Sequence, residues 1–202
     1  MNIEEYKIYN FKDPKEAEAL MDVMEPKLVF TNAAKIAIHD YSGDVPYWIQ
    51  MICKHCALYA INCNHPVIGT KELDDVIDGL LGKAGVPGVG KLSDEIFLQQ
   101  QILPSDPKET KALLFSIAFL MKDKANRSGV SWTRLKEFWN ENNYKPDMES
   151  IVRAKERLED RLSLLSEEID GNMTYRFSVG LFRKWCSGKD VISEFDKTNT
   201  VQ

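Results

Sequence analysis

The stretch from 162 to 179, LSLLSEEIDGNMTYRFSV, decides the fold of the second half of the chain. It contains two strand-like runs, 162–169 and 173–179, separated by Asp170-Gly171-Asn172. Asp-Gly between two such runs is a strong signal for a tight turn, because both residues tolerate positive φ. The sequence therefore predicts a β-hairpin here.

Three helices are predicted before this hairpin, and one short helix, 181–185, after it. The first begins at Asp106 or Pro107 and ends near 121–122. Ser131 and Asp147 are the predicted N-caps of the other two, since their side chains can bond free helix amides. Their apolar positions recur at helical spacing: Trp132, Leu135, Phe138 and Trp139, then Ile151, Ala154, Leu158 and Leu162. Three helices followed by a hairpin is the order of a winged-helix domain, predicted at 106–187.

The first half of the chain predicts a different, all-helical unit over residues 1–82, with a short extended segment at 6–11. Asp13-Pro14 and Thr31 mark two helix starts, and Gly43 marks a helix end. Asp44-Val45-Pro46 opens a third helix to about 61. Thr70 is the predicted N-cap of a fourth helix, which Gly82 ends. Residues 83–105 are predicted to be a linker that contains a short helix at 93–101, and residues 188–202 a frayed tail. The predicted fold class is mainly α.

Three segments of this half resemble a known family. They are FKDPKEAEALM (11–21), YSGDVPYWIQMICKHCALYA (41–60) and GTKELDDVIDGLL (69–81). Together they resemble the helical lid of signal-transduction P-loop ATPases of the STAND type, within the AAA+ superclass. YRFSVGLFRKW (175–185) is similar to the end of the winged-helix domain that follows this lid.

The resemblance implies a four-helix-type AAA+ lid followed by a winged-helix domain, with ATP or ADP held only together with a missing P-loop core. That core, encoded in the same or an adjacent gene, is the expected partner. In the family, a Gly-x-Pro at the start of a lid helix contacts the nucleotide. The matching residues are Gly43, Asp44, Pro46 and Tyr47, with Asp44 in place of the glycine. The alternative is that Asp44 is only an N-cap and Pro46 only a first-turn residue.

A glycine-rich run, Gly85 to Lys91, fits the pattern G-x-x-x-x-G-K of phosphate-binding loops. The next residue is Leu92, where Ser or Thr would be needed to reach Mg²⁺. The run also follows a predicted helix rather than a buried strand. We therefore expect that this chain alone is no enzyme, although the intact parent would be an ATPase.

Cys53, Cys56, Cys63 and His65 form the pattern C-x2-C-x6-C-x-H, which suggests a second interpretation as a small zinc protein. Cys53 and Cys56 also lie on the apolar stripe of a predicted helix, and buried free cysteines are common. Core packing is thus the competing interpretation of the same residues.

A third interpretation is a stand-alone DNA-binding regulator, since the third helix of a winged-helix domain normally enters the major groove. Arg153, Arg157 and Arg161 are its candidate DNA contacts. Acidic residues surround them on the helix and at the hairpin tip: Glu149, Glu156, Asp160, Glu167, Glu168 and Asp170. This pattern favours a solvated or protein-facing helix over nucleic acid.

Composition and sequence pattern limit the classes of protein to which the chain could belong. The 202 residues carry 26 basic and 31 acidic side chains, a net charge of −5, which does not favour phosphate-backbone binding. The longest apolar run, 112–121, is too short to span a bilayer. The first residues lack the features of a secretory signal, and four cysteines do not make a disulfide framework. We therefore expect a cytoplasmic protein.

Overall fold

Most helices of the computed structural model begin at residues that the sequence marks as caps or first-turn prolines. The structure describes residues 11, 13–23, 28–123, 126 and 128–199. Within this part the fold is mainly helical with little sheet, which confirms the predicted class. The chain divides into two units. The N-terminal unit ends at Leu92 and includes 179–181; the C-terminal unit comprises 93–178 and the chain from 182 onward.

Local capping sets the helix bounds of the N-terminal unit. A carboxylate oxygen of Asp13 accepts a hydrogen bond from the Lys15 N–H, and the Thr31 hydroxyl accepts one from the Ala34 N–H at 3.2 Å. The fourth helix departs from the prediction, because Gly69 rather than Thr70 occupies the N-cap. The elements are α1 (Pro14–Asp22), β1 (Val29–Phe30), α2 (Asn32–Ser42), α3 (Pro46–Cys63), β2 (Val67–Ile68) and α4 (Thr70–Leu80).

The core of this unit forms around α3, which packs against α1, α2 and α4. Its buried stripe is Trp48, Ile49, Ile52, Cys53, Cys56 and Ala60. β1 and β2 pair in parallel, with Val29 opposite Val67 and Phe30 opposite Ile68. The sequence did not predict this pair, because two-residue strands are too short to show an alternating pattern. The predicted extended segment at 6–11 lies, except for Phe11, outside the described residues.

The C-terminal unit combines helices with a three-stranded antiparallel sheet in the order β3-β5-β4. Asp170 and Gly171 form the hairpin turn with φ of 51° and 75°, as the Asp-Gly signal predicts. The elements are α5 (Asp94–Gln101), α6 (Glu109–Leu120), β3 (Val130–Ser131), α7 (Trp132–Glu141), α8 (Met148–Asp160), β4 (Leu164–Ile169), β5 (Asn172–Phe177), α9 (Gly180–Ser187) and α10 (Val191–Asn199).

Two segments differ from their predictions. The short helix expected at 93–101 is α5, which is capped by Ser93, but it groups with the C-terminal unit rather than with a separate linker at 83–105. The expected frayed tail at 188–202 contains α10, which packs on α6. Asp190 stabilises its start, accepting hydrogen bonds from the N–H groups of Ile192 and Ser193. The polar composition concealed α10, because only Val191, Phe195 and Thr198 are buried among its side chains from 191 to 198.

The core of the C-terminal unit is built around α6, where nearly every side chain is buried. Aromatic rings from α7 and α10 pack in this unit, including Phe138, Trp139 and Phe195. The Trp139 indole N–H donates to the Ser116 hydroxyl at 2.9 Å, and this hydroxyl donates to the Ala112 carbonyl at 2.7 Å. In the described part of the chain, no helix has both the length and the apolar character needed to cross a membrane.

Candidate functional site

The turn between α2 and α3 holds the four predicted nucleotide-contact residues on one continuous segment. Gly43 and Asp44 both have positive φ, of 57° and 58°. Glycine adopts this conformation freely, and aspartate is one of the few other residues that tolerate it. The chain can therefore end α2 and begin α3 at Pro46 within three residues.

The Asp44 carboxylate does not cap α3. Val45 occupies the N-cap and makes no side-chain capping bond, so the N-cap interpretation of Asp44 is wrong. Asp44 Oδ1 instead lies 2.5 Å from His39 Nδ1, in the last turn of α2. His39 was not predicted as a site residue, since an isolated histidine beside Asp40 is more typical of the surface. The feature that could have identified His39 is its position in the last turn of α2, from which its ring can reach the turn that follows the helix.

Backbone hydrogen bonds occupy the amides of this turn. The N–H groups of Gly43 and Val45 donate to the carbonyls of His39 and Ser42, and that of Asp44 donates to the Ser42 hydroxyl. These three amides are therefore already engaged and do not form a phosphate cradle. Pro46 is partly exposed, and Tyr47, 36% exposed, packs edge-on against Trp48 with ring centroids 5.0 Å apart. The turn can offer a flat, apolar surface to a planar ring.

The glycine-rich loop after α4 is folded back onto that helix. The Leu92 N–H donates to the Leu80 carbonyl at 2.8 Å. Gly79 permits this approach, because a Cβ there would lie 2.9 Å from Val89 Cγ1. The loop connects α4 to α5 and not a strand to a helix. Its geometry is that of a packed connection rather than of a phosphate-binding loop.

The four predicted zinc ligands are not brought together. Cys53 and Cys56 are buried in the core face of α3, whereas Cys63 and His65 are exposed near its end. Burial raises the pKa of Cys53 to about 12, which disfavours the thiolate that zinc requires. Within the described ranges, no group of three or more His, Cys, Asp or Glu side chains could hold a metal ion. The structure thus supports the core-packing interpretation for Cys53 and Cys56, but not for the exposed Cys63 and His65.

Two of the three predicted DNA contacts are engaged within the C-terminal unit. The Arg161 guanidinium binds both carboxylate oxygens of Asp106, at 2.9 and 2.7 Å, and also donates to the Gln101 carbonyl. Arg157 donates to the Ser105 carbonyl and lies 3.7 Å from Asp106. Both arginines therefore fix the loop between α5 and α6, and their contact with DNA stays a prediction.

This arrangement alters the acidity of Asp106. Burial of the side chain, which is 2% exposed, opposes ionisation. Hydrogen bonds from Arg161 and the Leu103 N–H, with the charges of Arg161 and Arg157, outweigh that effect. The pKa of Asp106 is consequently lowered from its ordinary value of 3.8, and the carboxylate stays charged in the folded unit.

The exposed surface of α8 carries apolar side chains among charged ones of both signs. Met148 and Val152, one helical turn apart, are 43% and 44% exposed. Glu149 and Glu156 are exposed beside them, while Arg153 donates to the Ser150 hydroxyl at 3.3 Å. Comparison of the chain with protein-family models, with curated proteins and with solved structures gives no match.

Proposed function

We propose that this chain is a regulatory lid-plus-winged-helix segment of a signal-transduction P-loop ATPase. The N-terminal unit would close over a nucleotide held by a separate core domain. The C-terminal unit would move with it and relay the nucleotide state to a protein partner. In this proposal the chain contributes no catalytic residue of its own.

The element order of the C-terminal unit is the observation that supports this proposal most strongly. Its order α6-β3-α7-α8-β4-β5, with β3 beside β5 in an antiparallel sheet, is the order expected for a winged helix. In such a domain α8 is the helix that contacts the partner. The exposed Met148 and Val152 of α8 favour a protein partner. A phosphate backbone would instead be bound by lysine and arginine side chains that have no other partner.

The N-terminal unit supports the proposal through the α2–α3 turn. Pro46 and Tyr47 present their side chains at the start of α3, where a lid of this type would contact adenine. His39 Nδ1 lies 2.5 Å from the Asp44 carboxylate, so this carboxylate has a hydrogen-bond partner close to Pro46 and Tyr47. We therefore propose contact with the base through Pro46 and Tyr47, with phosphate binding left to the core domain.

The first test is to sequence the DNA on the 5′ side of the Met1 codon, together with the adjacent gene. The proposal expects a P-loop domain with G-x-x-x-x-G-K-[ST] there. That domain would then be mixed with this chain, and nucleotide affinity would be measured with a fluorescent ATP analogue. We expect tighter binding by the mixture, and a loss of that gain in Tyr47→Ala but not in Tyr59→Ala.

Three outcomes would contradict the proposal. ATP turnover by this chain alone would show that it is itself an enzyme. An unchanged affinity of the core domain in the presence of the chain would exclude a lid role. Tight binding of duplex DNA whose log affinity falls steeply with log salt would favour the stand-alone DNA-binding regulator.

A further inference from the structure

A groove of about 530 Å³ lies within the C-terminal unit, between α5, the loop that follows it, the start of α6, and α10. This volume is within the range typical of small-molecule sites. One wall is apolar and consists of Leu98, Ile102, Leu103, Pro104 and Pro107. No function proposed above uses this groove.

The apolar wall is held in place before any ligand binds. Asp106 accepts a hydrogen bond from the Leu103 N–H at 2.8 Å and the bidentate contact from Arg161. Arg157 binds the Ser105 carbonyl from the same helix. α8 therefore fixes the loop at 101–106 from outside the groove. A preformed wall lowers the cost of ordering when a ligand binds.

The carboxylates of the groove already have cationic partners. Asp106 is paired with Arg161, and the Glu194 carboxylate lies 3.2 Å from Lys197 Nζ. Lys108 and Lys111 are the lysines of the groove wall. Lys108 Nζ is 3.3 Å from the Thr198 carbonyl and 3.8 Å from Glu109, with its side chain 49% exposed. Lys111 is half-buried and, among the described residues, has no hydrogen-bond or ion-pair partner.

We propose that this groove binds a small amphiphilic carboxylate. The apolar body of the ligand would lie on Leu98, Ile102 and Leu103, and its carboxylate would bind Lys111 with support from Lys108. An ammonium buried part-way in an apolar wall gains most from an anionic ligand, because a charged hydrogen bond is stronger than a neutral one. The proposal is independent of the regulatory role proposed above.

Octanoate is a suitable probe, with octanol and octylammonium as matched ligands of the same chain length. Amide NMR spectra of the full chain would be recorded during each titration. We expect octanoate to shift the amide signals of the non-proline residues in 102–111 and of residue 194 in a saturable manner, and to bind more tightly than either matched ligand. Lys111→Met should weaken octanoate binding roughly tenfold, the order expected for losing one charged hydrogen bond.

Lys145→Met is the matched control, because Lys145 is exposed in the loop before α8, outside the groove. It should leave octanoate binding unchanged. Leu103→Ala provides a second variant that tests the apolar wall and should weaken all three ligands. Saturable shifts that are equal for octanoate and octylammonium would overturn the proposal. So would the absence of shifts, or binding to anionic phospholipid vesicles without binding of monomeric octanoate.

Discussion

The two units differ in how far apart in the sequence their hydrogen-bonded side chains lie. In the N-terminal unit many side-chain hydrogen bonds connect near neighbours, as in Thr31 with Ala34 and Asp44 with His39. The C-terminal unit has local bonds as well, such as that of Arg153 with Ser150, but it adds bonds that join more distant parts of the chain. Arg161 and Asp106 are 55 residues apart, and Lys189 and Asp94 are 95 apart. Local contacts define helix ends, whereas distant contacts define the tertiary structure, so substitutions should cost more in the second unit.

Ring packing follows the same division. In the N-terminal unit Tyr47 packs against Trp48, whereas the C-terminal unit contains a network of ring contacts that includes Phe97 with Phe182, Phe119 with Phe138 and Tyr144 with Phe195. Aromatic side chains bury large areas and favour defined packing geometries. The C-terminal unit should therefore respond sharply to the loss of a single ring.

The largest expected effect is that of Phe195→Ala. Phe195 is 2% exposed and stacks on Tyr144 with ring centroids 4.1 Å apart. Truncation should lower the free energy of unfolding of the C-terminal unit by about 4 kcal/mol. Urea unfolding followed by tryptophan fluorescence would measure it. Ile192→Ala, at a 43% exposed site on the same helix, is the control and should cost much less. Equal losses would mean that α10 is not part of the core.

Arg161→Met should have the next largest effect. It leaves the nearly buried Asp106 carboxylate without its bidentate partner, with Arg157 still 3.7 Å away. We expect a loss of about 2–3 kcal/mol at neutral pH, somewhat below that of a fully buried pair. Arg153→Met, on the exposed side of α8, should change stability by less than about 1 kcal/mol.

The pH dependence of this variant checks the cause. Because the pKa of Asp106 is lowered in the folded unit, its stabilising contribution is fully present above 3.8 and is lost as the pH falls through the folded value. The difference between wild type and Arg161→Met should therefore shrink in acid. A constant difference from neutral pH to about pH 3 would show that packing, not charge, is responsible.

Ser116→Ala tests a smaller contribution. It leaves the buried Trp139 indole N–H without its acceptor, which should cost about 2 kcal/mol. Chemical denaturation of Ser116→Ala, Trp139→Phe and the double variant would form a thermodynamic cycle. We expect the double variant to lose less than the sum of the single losses. Strict additivity would indicate that the hydrogen bond contributes nothing to stability.

Thr31→Ala should have the smallest effect and belongs to the N-terminal unit. It removes the hydroxyl that caps α2, at a cost of about 1 kcal/mol. Thr31→Ser keeps the capping oxygen and should retain most of the stability. Circular dichroism during thermal unfolding would measure both. A loss as large as that of Arg161→Met would contradict the proposed division between local and distant contacts.

The sequence predicted those parts of the fold that depend on near neighbours. Thr31, Gly43, Pro46 and Ser131 mark helix ends correctly, and Asp170-Gly171 forms the hairpin turn. It did not predict α10, because a helix with so few buried residues is defined by what it packs against.

For the candidate site, too, the sequence predicted the local backbone but not the side-chain partners. The turn at 43–47 is continuous, as the sequence suggests, but the partner of Asp44 was missed because helix geometry brings His39 across the helix end. The partners of Arg157 and Arg161 were not predicted, since nothing in the neighbouring sequence indicates that Ser105 and Asp106 lie within reach. Side-chain partners at long sequence separation do not follow from periodicity or composition.

The contacts of Asp94 with Trp185 and Lys189 also bear on the order in which the C-terminal unit folds. They join residues 91 and 95 positions apart. Closing a flexible loop of that length costs on the order of 4 kcal/mol in chain entropy, apart from a constant. Such contacts form late unless the intervening structure has already brought the ends together. The C-terminal unit should thus fold from its interior helices outward, and the loss of these contacts should speed unfolding more than it slows folding.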